Sequence, residues 1–181
     1  MMTFKEKVAR YIIGLYSYSH MPEIALTALE EGIESESLLI LAGMNDKDPT
    51  YERQKYFDNG IEEINFTYPN KKEAGFILLK YNLEQMVKNP DSAFEIMQRI
   101  ENEIFLPIFH KEELQDEKKY VGQELGMEHI YTWYRELQDF EDGSPLFYFN
   151  KLSRKKQKAK FIENLVKEAK QLLDNGLKEY E

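Results

Sequence analysis

The chain has 181 residues, 42% hydrophobic and 31% charged. This balance fits one ordinary globular domain and argues against a disordered chain. It contains no Cys, which excludes a disulfide framework, a thiol nucleophile, a thiolate zinc site and an iron–sulfur cluster. A net charge of −9 argues against nucleic acid at long range, serves solubility and would draw in a basic partner.

Apolar residues recur at helical rather than strand spacing. The chain therefore reads as all-α: about eight helices in one domain over residues 1–181, as an antiparallel bundle or an irregular helix-hairpin stack. Phe4, Val8, Tyr11, Ile12 and Leu15 form the apolar side of a first amphipathic helix. The apolar run there is brief, follows Arg10 and precedes no small-residue cleavage site, so it reads as part of the mature domain. No stretch reaches the roughly 20 apolar residues of a membrane span; the expected location is cytoplasmic, with no membrane partner. Pro22 suits the first turn of a second helix, through Ile24, Ala25, Ala28 and Leu29, with Gly32 as its left-handed end. Ser35 caps a short helix over 38–42 that stops at Gly43. Residues 45–49 are a polar loop. Thr50 is the expected cap of a helix that turns Tyr51, Phe57, Ile61 and Ile64 inward, with Gly60 inside it.

Asn70 caps a central helix with Ala74, Ile77, Leu78 and Tyr81 on one side and Phe76, Leu79, Leu83 and Met86 on another. Asn89-Pro90-Asp91 turns into a helix through Phe94, Met97, Ile100 and Ile104, which Pro107 is expected to end. Residues 112–116 form a polar connection. A long helix is expected from about Lys118 to Phe140, with Val121, Leu125, Ile130, Trp133, Tyr134 and Leu137 on its apolar side. Residues 142–145 turn the chain, and the last helix starts near Ser153. Its stripe is Ile162, Leu165, Val166, Ala169, Leu172 and Leu173, and Gly176 closes it. There is no fixed-period repeat and no linker rich in Gly, Ser or Pro.

The pattern Ala25-x-x-Ala28-Leu29-x-x-Gly32, followed by Ser35, Leu38, Leu41, Ala42 and Gly43, resembles a helix–turn–helix stretch of uncharacterised bacterial all-helical proteins. The resemblance covers residues 25–43 and implies a bacterial source but no activity. In physical terms, the alanines let backbones approach closely and the glycines end helices, which needs no ligand.

Few patterns carry chemistry. His20, His110 and His129 belong to no H-E-x-x-H pair, and Gly126 and Pro107 stand where a Glu-x-x-His pair would need Glu. Neither a helix-borne zinc site nor a di-iron site is expected. His129 reads as a surface or core-edge residue, His20 as a loop residue and His110 as a rim residue. G-x-S-x-G and the Gly-rich phosphate loops are absent. Asn45-Asp46-Lys47-Asp48 lacks the central Gly and terminal Glu of a calcium loop. Glu30-Glu31, Glu112-Glu113 and Glu141-Asp142 read as solvated acids, because acid–base work requires burial to move a pKa. No catalytic residue, cofactor or metal is assigned.

Residues 151–160, KLSRKKQKAK, carry six basic side chains. With Tyr148 and Phe149 before them they could grip phosphates and stack bases. The net acidity and the helix dipole, which disfavours cations at a helix start, favour a solvated face instead. Leu146, Phe147, Tyr148 and Phe149 are the candidate partner-docking residues: four large apolar side chains in a loop either fold back onto the core or await a partner. The expected function is a non-catalytic protein-interaction domain, in its narrower form an immunity- or antitoxin-like binder of a basic protein. The alternative is an enzyme or small-ligand-binding helical bundle with a pocket between helices, built from scattered Tyr, His and Glu.

Overall fold

The computed structural model describes residues 1–109 and 120–177, apart from the side chain of residue 124. The fold is all-α, with eight α-helices and no strand among the described residues. The chain divides into two compact units, Met1–Leu78 and Leu79–Glu181. No helix among the described residues is long and apolar enough to cross a membrane.

The first unit holds α1 (Phe4–Ile12), α2 (Met21–Glu30), α3 (Glu36–Ala42) and α4 (Thr50–Glu63). Thr3 opens α1 with a reciprocal cap: Glu6 N–H donates to the Thr3 hydroxyl at 3.3 Å, and Thr3 N–H donates to the Glu6 carboxylate at 2.7 Å. α1 stops at Ile12, short of Leu15, because Gly14 turns left-handed. Gly32 follows α2 at positive φ, as its position suggests. The Ser35 hydroxyl accepts from Leu38 N–H at 3.1 Å, so the expected cap of α3 is present. Thr50 is not a cap. It is the first residue of α4, Pro49 holds the cap position, and the Thr50 hydroxyl accepts from the Arg53 guanidinium at 3.4 Å instead.

The core of this unit is Phe4, Val8, Met21, Ile24, Leu38, Leu41, Phe57 and Ile61. Tyr51 points outward, against expectation. The buried stripe of α4 runs Arg53, Phe57, Gly60, Ile61, and Tyr51 is out of phase with that spacing. Gly60 permits a close approach of α3 to α4: a Cβ there would lie 2.6 Å from Leu38 Cγ.

Glu63, at the end of α4, accepts from the Ser35 hydroxyl at 2.6 Å and from both the hydroxyl and the N–H of Ser37. It thereby brings an anion to the start of α3. The Ser35 bond, then the Ser37 bonds, hold its carboxyl below the usual range. A lowered folded pKa gives stability that is present above the ordinary value of 4.5 and lost as pH falls through the folded value. The stability gap between wild type and Glu63→Gln should therefore shrink as urea titrations move below that pH. A gap independent of pH would contradict this role.

α5 (Lys71–Lys88) contains the boundary between the units. Asn70 caps it as expected, accepting from Lys72 and Glu73 N–H at 2.9 and 3.0 Å while Glu73 reaches back to Asn70 N–H. The second unit continues with α6 (Ala93–Arg99), a π-helical segment (Ile100–Phe109), α7 (Glu128–Asp142) and α8 (Arg154–Asn175). Pro107 lies inside the π-helical segment and does not end it. The wider turn spaces carbonyls differently from the α-helix, in which a proline ring meets the carbonyl four residues back. Tyr134 on α7 is buried and donates its hydroxyl to Glu101 at 2.9 Å. Burial, then the Glu101 carboxylate, push its pKa up.

The long helix expected from about Lys118 begins only at Glu128. Lys118 itself lies outside the described residues. Residues 120–127 instead form a tight turn with Gly122 and Gly126 both left-handed. Leu125 is still buried there, so its apolar character required a core position rather than a helix. α8 starts after Ser153 and ends before Gly176, close to the expected bounds.

Candidate docking site

The four candidate docking residues lie in the connection between α7 and α8, two helices packed against each other. Beneath them is an aromatic cluster. Phe161 on α8 is fully buried, with ring centroids 5.8 Å from Phe149 and 6.5 Å from both Trp133 and Phe140. Trp133 lies nearly parallel to Phe149, 6.1 Å away at 18°, and meets Tyr148 at 5.2 Å. Such ring pairs add about 0.5–1.5 kcal/mol each beyond the area they bury. They hold Phe149 in a left-handed backbone at φ 59°, a conformation that costs a bulky residue about 1–3 kcal/mol.

Polar groups fix the rest of the loop. Glu136 on α7 is only 3% exposed, and its carboxylate accepts from Phe147 N–H at 3.2 Å and Tyr148 N–H at 3.4 Å. A buried carboxylate needs such donors to offset the loss of water. Gln157, also buried, donates to the Tyr148 carbonyl at 3.0 Å and to the Asn150 side chain at 3.2 Å. Asn150 donates in turn to the Leu146 carbonyl at 2.9 Å. At the loop's start, Asp142 accepts from Ser144 N–H at 2.9 Å, and its bonds with Ser144 hold its carboxyl below the usual range. At its end, Arg154 donates to the Phe140 carbonyl at 2.8 Å and lies 4.0 Å from the centre of the Phe140 ring.

This frame sorts the four residues. Phe149 turns inward and Leu146 is half-buried. Tyr148 keeps 45% of its surface, and Phe147 projects with 82% exposed. Leu152 adds a further exposed apolar side chain at 38%. Within one turn of chain the loop thus folds Phe149 inward and leaves Phe147 and Tyr148 exposed.

Glu136, Gln157 and Phe161 were not read from the sequence as parts of this site. Their signals are nonetheless present: Glu136 interrupts the apolar side of α7 between Trp133 and Leu137. Gln157 and Phe161 extend the α8 stripe backward from Leu165 in steps of four.

Several of the other candidates make local contacts. His20 accepts from Ser17 N–H at 3.1 Å and stacks on Tyr16 at 4.4 Å, and His129 is exposed. His110, Glu112 and Glu113 lie outside the described residues. Glu31 accepts from Phe4 N–H at 2.7 Å, Glu141 pairs with Lys158, and Asn45 N–H closes a turn onto Asp48. Among the described residues, no group of three or more His, Asp or Glu side chains could hold a metal ion. Compared with known proteins, the chain matches no family model, no curated protein and no solved structure.

Proposed function

We propose that this is a non-catalytic protein-interaction domain that docks its partner through the α7–α8 connection, with Phe147 as the anchor. The observation that supports this reading is the frame under Phe147. Singly exposed apolar residues are common on protein surfaces and decide nothing by themselves. Here a buried carboxylate, a buried amide and a left-handed Phe149 all act to fix the backbone that projects one large ring. A loop ordered in advance loses less conformational entropy on binding, and a central aromatic anchor supplies much of the affinity. A cytoplasmic setting and a bacterial source belong to the same proposal. An immunity- or antitoxin-like binding of a basic protein, which the net charge of −9 would favour, would use the acidic surface outside this loop.

Phe147→Ala should change the unfolding free energy by no more than about 0.5 kcal/mol, because the ring is exposed. It should nevertheless weaken capture of a cognate partner by about tenfold or more. The check is parallel urea unfolding and affinity capture with wild type and variant. A partner held equally well by both would count against the loop as the docking element.

A further inference from the structure

We infer that the segment this loop receives is acidic: a short Asp- or Glu-rich stretch of another protein that carries an apolar residue for the Phe147 side. The inference rests on the docking reading above and assigns the chemistry of the partner. Residues 143–162 contain six cations and no Asp or Glu, although the whole chain is at −9. Two of those cations are occupied internally, Arg154 on the Phe140 carbonyl and ring and Lys158 on Glu141. A third, Lys160, pairs with Glu163. Lys151, Lys155 and Lys156 are exposed and form no ion pair among the described residues, and they follow closely on the exposed Phe147, Tyr148 and Leu152.

The placement opposes the helix. Each of α1 to α7 carries a Glu in its first turn, whereas α8 begins Arg154-Lys155-Lys156 with no acid there. Cations at a helix start weaken that helix, and their charge adds to the positive end of its dipole. Around the apolar anchor the exposed charge of this segment is therefore positive, and the Glu136 carboxylate beneath it is buried and taken up by the Phe147 and Tyr148 N–H groups.

The reach of that charge selects among anions. Charge is screened over a Debye length of about 8 Å at physiological salt, so a short acidic segment meets the lysines and little of the acidic remainder. An anionic bilayer or a long nucleic acid would bring much more of the acidic chain against a polyanion. Single-stranded nucleic acid also favours successive stacking platforms, and Phe149 is already committed to Trp133 and Phe161.

The test is selection of a random dodecapeptide phage library on the full chain, followed by affinity measurement with the synthesised consensus peptide. Wild type is compared with Phe147→Ala and with the triple variant Lys151→Glu, Lys155→Glu, Lys156→Glu, whose folding is checked by circular dichroism. The expected result is a consensus enriched in Asp and Glu, its affinity falling about tenfold or more in each variant and falling with added salt. Peptides lost in Phe147→Ala but lacking acidic bias, or indifferent to the charge reversal, overturn the inference and leave the docking reading standing. Selection of no Phe147-dependent peptide overturns both. Lysine-dependent binding of oligothymidine, or of phosphatidylcholine vesicles containing phosphatidylglycerol, without such a consensus overturns it in favour of those ligands.

Discussion

Phe161→Ala is expected to lower the free energy of unfolding by about 3–5 kcal/mol. The ring has no exposed surface and packs against aromatic side chains from α7 and from the loop. Removing it deletes the transfer energy of a phenyl group and leaves a cavity that Trp133, Phe140 and Phe149 cannot all close. A second consequence follows from Phe149. Its left-handed backbone persists against a cost because its ring is packed, so losing Phe161 should also release the loop. Urea unfolding gives the first effect. Emission from Trp133, the single tryptophan, should shift to the red in the folded variant and give the second. A loss below about 1 kcal/mol would be incompatible with the packing described.

Gly122→Ala should destabilise the protein by about 3 kcal/mol, through two separate penalties. At φ 75° any L side chain is strained, by about 1–2 kcal/mol. An added Cβ would also lie 2.8 Å from Tyr131 Cδ2 and 2.9 Å from Met127 Cβ, both belonging to buried residues. Overpacking of this kind costs about 1–3 kcal/mol. Gly143→Ala separates the terms, since it has the same backbone requirement at φ 83° with open space around it. It should lose only about 1–2 kcal/mol. The sign of the Gly122 result is informative by itself. Were residues 118–140 one continuous helix, Ala would be the better residue there by about 0.8–1 kcal/mol.

That contrast shows where the sequence is legible. Helices whose ends carry strong local signals were read closely: Ser35 before α3, Asn70 before α5 and Gly176 after α8 each act at short range through their own backbone neighbours. The helix expected over 120–127 is not found: Val121 and Leu125, four residues apart, imitate a helix face, but Ile130, nine residues from Val121, falls about 180° away from it. Burial at Leu125 is satisfied equally well by a turn closed by two left-handed glycines. Gly122 and Gly126, four residues apart, were the opposing signal. Pro107 failed as a stop because the π-helical segment accommodates it.

The docking loop was legible as an apolar, non-helical stretch, but the direction of each ring was not. Direction depends on Glu136 and Gln157, which sit on flanking helices and act through space on the loop backbone. It depends equally on the left-handed turn at Phe149, which no bulky residue favours locally.

The most direct measurement is the amide order parameter at Phe147 and Tyr148 from ¹⁵N relaxation of the free protein. If Glu136, Gln157 and the aromatic cluster hold the loop ready, both amides should lie near the value of about 0.85 typical of ordered backbone, despite their exposed side chains. Values below about 0.6 at these two residues would contradict a loop set in advance for its partner.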